Sequence, residues 1–340
     1  MKTIFVVDDN NVNLLAADEA LSKHYRVFTL PSAASMFELL KDVKPDLILL
    51  DILMPEMDGF DTLKDLKSKD GYADIPVIFL TSRNDASTES LGLEMGAVDF
   101  ISKPFSRPVL LNRIKTHLEI EDIIRERTDS LKRLKNSIVI VLANMVENRD
   151  GLTGRHIERT TWYLRILIDA MIKDNIYTDE IKKWDLELII SSARLHDIGK
   201  ITISDLILNK PGALTSEEFE IIKKHAAEGE RIIDSIMAES GDETFLKYAK
   251  LFAGSHHERW DGTGYPRGLK GEEIPLQGRI MAVADVYDAL VSERPYKKAM
   301  PHSEAVNIIK NNSGKHFDPQ LVKLFLACEK SFESVDVNDK

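Results

Sequence analysis

The stretch SSARLHDIGK sets a histidine and an aspartate side by side, His196-Asp197, at the end of an apolar run through Leu188, Ile189, Ile190, Ala193 and Leu195. A carboxylate in such a segment is costly unless something pairs with it, and a metal ion is a sufficient partner. The chain offers further ligands of the right kind: His156 upstream, then His225, the pair His256-His257 and Asp285 downstream. Any one histidine taken alone reads as a surface or satisfied core residue; the set together points to a metal centre. His156 shares a helical stripe with Thr160, Leu164, Leu167 and Met171, and His225 shares one with Ile221, Ile222, Gly229 and Ile232. Asp285 and Asp288 fall on one face of the apolar segment RIMAVADVYDALV. Polar groups directed inward from several helices leave unpaired charge unless ions bind between them. Two ions satisfy the set, with Asp197 as the natural bridge because a carboxylate has two oxygens to share.

A nitrogen and oxygen set without thiolate is compatible with Fe, Mn, Zn, Ni or Co. Paired ions suggest hydrolysis, since they lower the pKa of a shared water and neutralise charge on a phosphodiester. Lys200, one turn beyond Asp197, and Arg294 and Lys297 in SERPYKKA are candidate cations for phosphate oxygens. Asp288 is a candidate for orienting the nucleophile or a ligand. The segment HHERWDGTGYPRGLKGEEIP is dense in Gly and Pro, a turn signature. Because it follows two histidine ligands, Gly264, Tyr265 and Pro266 are read as a wall of the substrate pocket.

A second chemical cluster lies near the N-terminus. Short runs rich in β-branched residues, Ile4–Val7, Val27–Leu30, Leu47–Leu50, Val77–Leu80 and Phe100–Ile101, alternate with amphipathic stretches, as expected of an open parallel sheet with helices on both faces. Ligands of such sheets bind beyond the carboxyl ends of the strands. There stand Asp8-Asp9, Asp51, Thr81 and Lys103. Crowded carboxylates need a cation, all-oxygen ligation suits Mg²⁺, and Mg²⁺ beside a carboxylate and a lysine suits phosphoryl transfer to that carboxylate.

These clusters belong to different folds. From residue 141 to 335 helical spacing prevails, in Trp162–Ile172, Trp184–Leu195, Ser216–Met237, Gly278–Val291 and Ser303–Ile309, which implies an all-α bundle. Between the two folds no Gly/Ser/Pro-rich linker appears. Instead Ile120, Ile124, Leu131, Leu134, Ile138, Val141 and Met145 recur at alternating spacings of three and four, interrupted by Arg127, within charged surroundings. That is a coiled-coil-like seam, read as a homodimer contact ahead of a helix lying on its own domain. The division is therefore residues 1–121, a helical linker 122–140, and 141–335.

Composition bounds the rest. The chain of 340 residues is 43% hydrophobic with a net charge of -11 and one cysteine, Cys328. A lone cysteine excludes an internal disulfide framework and a thiolate metal site, and the acidic balance argues against DNA binding. No apolar run has the length of a membrane span. Asp8 and Asp9 interrupt what would have to be an export signal's apolar core, so a cytoplasmic protein is expected.

The motifs DDNNVN, LLDILMPEMDGF, LTS and DFISKPF resemble those of a response-regulator receiver domain of flavodoxin-like fold. The resemblance implies that Asp51 accepts a phosphoryl group from a cognate histidine kinase, and that Asp8, Asp9 and Asp51 hold Mg²⁺. Thr81 and Lys103 would contact the phosphoryl group, and Phe100 would be the switch aromatic. HDIGK and HHERWDGTGYP resemble the motifs of HD-GYP phosphodiesterases. This second resemblance implies hydrolysis of cyclic di-GMP to pGpG, and in many members onward to GMP, with iron or manganese held by His156, His196, Asp197, His225, His256, His257 and Asp285. Lys200, Arg294 and Lys297 become its phosphate contacts. Some members carry a glutamate four residues before the His156 position and hold a third metal; Leu152 stands there in this chain, so two ions are expected. Glu147 and Asp150 are read as structural acids, for instance helix caps. The expectation is a phosphorylation-controlled cyclic di-GMP phosphodiesterase. Its rivals are a hydrolase of another cyclic dinucleotide such as cyclic GMP-AMP and a non-catalytic module that binds cyclic di-GMP.

Overall fold

The structure, a computed structural model, describes residues 1–82, 86–149, 155–241, 243–293 and 298–335. The chain divides into two compact units, Met1–Leu131 and Lys132–Lys340; the division falls inside the segment expected to link two folds.

In the first unit, β1 (Thr3–Val7), α1 (Asn11–Leu21), β2 (Arg26–Leu30), α2 (Ala33–Leu39), β3 (Leu47–Asp51), α3 (Gly59–Ser68), β4 (Val77–Thr81), α4 (Ala86–Glu94) and β5 (Asp99–Ser102) alternate along the chain. All strand pairs are parallel, in the order β2-β1-β3-β4-β5. This is the flavodoxin-like order, whose switch point lies between β1 and β3. Strands β3 and β4 are buried at every residue, as their unbroken apolar runs require. Asn10 caps α1 by accepting the Val12 N–H at 2.9 Å, and Asp58 caps α3 by accepting that of Asp61. Each cap satisfies one amide that its helix leaves open and turns the chain away from the strand end.

Helix α5 runs unbroken from Arg107 to Arg149, so it begins in the first unit and ends in the second. Within the first, Leu110, Ile114 and Leu118 pack on the sheet. Within the second, Val139 and Val146 join a core with Leu195, Ile198 and Ile233. The seam residues stay uncovered: Leu131 is 66% exposed, Leu134 57% and Met145 61%. In each unit one face of α5 thus packs on that unit's core while the seam residues stay exposed.

The second unit is helical: α6 (His156–Lys173), α7 (Thr178–Ile181), α8 (Leu186–Ser192), α9 (Asp205–Leu208), α10 (Ser216–Ser240), α11 (Glu243–Ser255), α12 (Leu276–Val291), α13 (His302–Asn311) and α14 (Pro319–Glu333). Two 3₁₀ turns, Ala193–Leu195 and Ile198–Thr202, bracket the His196-Asp197 pair. Helix α10 starts with a capping box between Thr215 and Glu218 and stops at Gly241, whose φ of 68° is left-handed. Three features depart from the sequence expectation. The run expected over Trp184–Leu195 is helical only to Ser192 and then tightens into the first 3₁₀ turn. Helices α7, α9, α11 and α14 are additional. The buried face of α10 passes through His225, Ala226, Gly229 and Ile233, leaving Ile221 37% exposed. Among the described residues, no helix is long and apolar enough to cross a membrane.

Candidate functional site

In the second unit the predicted ligands meet. Their ligand atoms form two groups, Asp197, His225, His256 and His257 in one and His156, His196 and Asp285 in the other, each within 4.8 Å of one another. Asp197 reaches both. Its Oδ1 lies 3.3 Å from His225 Nε2 and 3.6 Å from His256 Nε2, while its Oδ2 lies 3.4 Å from His196 Nε2.

The backbone fixes how the rings face. His196 Nδ1 donates to Ala193 C=O at 2.9 Å, His225 Nδ1 to Ile222 C=O at 2.7 Å, and His256 Nδ1 to Phe252 C=O at 2.9 Å. A carbonyl can only accept, so each neutral ring carries its proton on Nδ1 and turns an Nε2 lone pair into the centre. The Nε2 atoms of His225 and His256 are consequently 3.4 Å apart with no proton between them. Among the described residues, His196 Nε2 and Asp197 Oδ1 are buried and make no hydrogen bond. Lone pairs crowded around orphaned buried atoms are unfavourable for protein alone and fitting for divalent cations. Burial alone would raise the Asp197 carboxyl, but Lys200 and His196 hold it well below the usual carboxylate range. Burial, with His256 and His225 nearby, holds His257 well below the ordinary imidazole value. Both shifts favour the forms that ligate a metal.

His156 opens α6 and lies between two carboxylates. Its Nε2 is 3.4 Å from Asp285 Oδ1 and its Nδ1 is 2.7 Å from Asp288 Oδ2. Asp288 is itself held by Arg159, whose Nε and Nη2 donate to it at 2.5 and 3.0 Å. Asp288 therefore stands behind His156, on the far side of the ring from Asp285, where it can orient the imidazole. Losing such a partner costs a metal site about 10- to 100-fold in affinity. Asp288→Asn is accordingly expected to weaken metal binding by that factor, measured by competition with a chelator, while helix content stays unchanged.

Lys200 Nζ is 2.9 Å from Asp197 Oδ2, so this predicted phosphate contact is also a partner of the bridging carboxylate. Tyr265 packs on His257 with ring centroids 4.8 Å apart, and the Tyr265–Pro266 peptide is cis. Gly264 is required by its own loop: a Cβ there would fall 2.3 Å from Arg259 N and 2.6 Å from Glu258 Cα. Glu258, which sequence reasoning missed, accepts the N–H groups of Arg267 at 2.8 Å and Leu269 at 3.0 Å, and so ties the far side of the loop to the ligand pair. Gly199, the glycine of HDIGK, was also missed. A Cβ there would meet His225 O at 1.9 Å, so only glycine lets the His196-Asp197 turn close onto α10. Arg294, Lys297, Leu152 and Asp150 lie outside the described residues.

At the sheet edge of the first unit, Asp8, Asp9 and Asp51 bring carboxylate oxygens within 4.8 Å of one another. Lys103 Nζ lies 2.7 Å from both Asp8 Oδ2 and Asp51 Oδ2. Burial raises the Asp51 carboxyl against the opposing pull of Lys103. Thr81 is buried at the end of β4. Phe100 is also buried, its ring 5.4 Å from that of Phe79. The Lys103–Pro104 peptide is cis.

Residues 4–115 match the model of the response regulator receiver domain, and residues 140–321 match that of the HD domain. The chain is 40% identical over 353 residues to a probable cyclic di-GMP phosphodiesterase of Vibrio cholerae, covering 99% of this chain and 80% of that protein. The chain belongs to the response regulators with a receiver domain and an HD-GYP output domain. A relative named cyclic di-GMP phosphodiesterase, from Thermotoga maritima, is 35% identical over 360 residues, 99% of this chain and 93% of that one. The 3'3'-cGAMP-specific phosphodiesterase 2 of Vibrio cholerae matches less of the chain, 37% identical over 196 residues, 58% of this chain and 35% of its own. The receiver and HD-GYP domains correspond to the two units in which the carboxylate edge and the histidine centre were found.

Proposed function

We propose that this response regulator hydrolyses cyclic di-GMP to pGpG or on to GMP, under control of phosphorylation at Asp51. The observation that carries the hydrolytic reading is Asp197, whose two oxygens face two separate groups of ligands. His156, His196 and Asp285 would hold one divalent ion, His225, His256 and His257 the other, and Asp197 would touch both. Iron or manganese suits this set of imidazole and carboxylate ligands. Ions bound there supply Lewis acidity, acidify water at neutral pH and offset the charge of a phosphodiester. The protein's own part is positional. Backbone carbonyls and Asp288 hold the rings, Lys200 offers an ammonium beside Asp197, and Tyr265 with Pro266 walls the ligand pair. Arg294 and Lys297 are proposed as further phosphate contacts. Two relatives that match 99% of this chain, one named probable cyclic di-GMP phosphodiesterase and the other cyclic di-GMP phosphodiesterase, support this substrate.

The test is anaerobic. Metal-replete protein is incubated with cyclic di-GMP beside His196→Ala/Asp197→Ala, and products are separated by chromatography. Linear pGpG or GMP from wild type alone supports the reading. Turnover of cyclic GMP-AMP in preference would favour the second reading, which the cGAMP-specific relative motivates. Binding of cyclic di-GMP without turnover would favour a non-catalytic module.

For the receiver domain, Asp8, Asp9 and Asp51 are proposed to hold Mg²⁺, with Lys103 and Thr81 meeting the phosphoryl group from a histidine kinase and Phe100 responding as the switch. This reading places the protein in the cytoplasm, without DNA or membrane insertion. The exposed seam of α5 is proposed to pair with that of a second copy. Leu134→Glu/Ile138→Glu, placing like charges in the seam, is expected to convert a dimer to a monomer by light scattering. An unchanged mass would remove the proposal.

A further inference from the structure

Glu147, near the end of α5, is 5% exposed and has two oxygens with different surroundings. Its Oε1 accepts the backbone N–H of His156 at 2.8 Å. That amide opens α6 and has no partner within its own helix, so this half of the side chain is the structural cap expected from sequence. Its Oε2 is buried and, among the described residues, makes no hydrogen bond. A carboxylate oxygen buried without a donor is unfavourable and calls for one.

Two observations say where the donor lies. The other buried side-chain atoms in the same condition among the described residues are His196 Nε2 and Asp197 Oδ1, both belonging to the metal centre. Glu147 also lines one small cavity together with His156, His196, Asp197 and Lys200. It is not part of the group formed by His156, His196 and Asp285, whose ligand atoms all lie within 4.8 Å of one another. Its place is therefore outside the direct ligands.

We propose that Glu147 is an outer acceptor of the metal centre. Its Oε2 takes a hydrogen bond from a water held by the divalent ion at His156, His196 and Asp285, while Oε1 fixes the backbone of His156. This rests on the two-ion reading above. Glu147 is thereby a positioning residue that ties the end of α5 to the occupancy of one ion site. Outer partners of this kind contribute to metal affinity through the orientation and basicity of what the ion holds.

Glu147→Gln separates the two oxygens. Glutamine keeps one oxygen for the His156 amide and puts an NH₂ group, which cannot accept, in place of Oε2. Metal-free wild type and E147Q are titrated with Mn²⁺, with free Mn²⁺ followed by electron paramagnetic resonance. Wild type is expected to show two sites. E147Q is expected to keep one unchanged and to bind the other about 10- to 100-fold more weakly. A purely structural cap predicts the same two affinities in E147Q, and that result overturns the proposal. Should E147Q fail to fold by circular dichroism, Glu147→Asp, which withdraws both oxygens by one methylene, carries the same test. One weakened site supports the proposal and two unweakened sites overturn it. Absence of Mn²⁺ binding by wild type, or equal binding by His196→Ala/Asp197→Ala, strikes the two-ion reading itself and Glu147's role with it.

Discussion

Asp197→Asn is expected to give a folded protein that hydrolyses cyclic di-GMP at less than about a hundredth of the wild-type rate, a loss beyond the 10- to 100-fold typical of an outer partner. The side chain keeps its size and one oxygen, so packing around the 3₁₀ turns changes little. What goes is the charge and the second acceptor. Asp197 Oδ1 and Oδ2 face different histidines, 3.3 Å from His225 Nε2 and 3.4 Å from His196 Nε2. An amide cannot present an anionic oxygen to both. Lys200, 2.9 Å from Oδ2, also loses this counter-charge. Metal analysis of the purified variant is expected to show at most one ion where wild type shows two, with unchanged circular dichroism. Retention of both ions and of turnover would remove Asp197 from the bridging position. Loss of turnover with both ions retained would move its role from holding metal to handling substrate.

Much of this centre was legible because the residues that form it also obey helical periodicity. His156, Thr160, Leu164, Leu167 and Met171 all lie on the buried face of α6, and the strand ends of the receiver domain bring Asp8, Asp51 and Lys103 together as the parallel-sheet rule requires. The seam of α5 was readable for the same reason. Relations between helices were not. Arg159 and Asp288 are far apart in the chain, and nothing in either segment says that an arginine on α6 holds an aspartate on α12 behind a histidine ring. The two oxygens of Glu147 differ only in what surrounds them in space. Nor does the sequence show that Gly264 is needed because the backbone of its own loop fills the space a Cβ would take. Helix α11 is a different case: Phe245, Leu246, Ala249, Phe252 and Ala253 carry a full helical period, and the pattern was available from the residues alone.

The receiver domain yields the other large effect. Asp51→Asn is expected to abolish phosphorylation by acetyl phosphate and Mg²⁺, while wild type becomes labelled, and to leave turnover in the HD-GYP domain indifferent to the phosphodonor. Asp51 ends β3, where burial raises its carboxyl and Lys103, 2.7 Å away, opposes that rise. The same ammonium lies 2.7 Å from Asp8, so the site already balances two acids against one cation. Mg²⁺ joining Asp8, Asp9 and Asp51 would stabilise the anionic form that attacks phosphorus. Asparagine keeps the shape of the strand end but supplies neither the anion nor the nucleophile, so the loss of labelling is complete rather than graded. The domains are joined through α5, a continuous helix rather than a flexible linker, which is the physical ground for expecting a response at all. Turnover is therefore to be compared in wild type, phosphorylated wild type and Asp51→Asn. A difference between the first two that disappears in the third establishes control through Asp51. Equal turnover in all three would leave phosphorylation chemically intact but unconnected to hydrolysis. The seam variant Leu134→Glu/Ile138→Glu separates the remaining routes: control that survives in a monomer travels within one chain along α5, and control lost with the dimer depends on the paired helices.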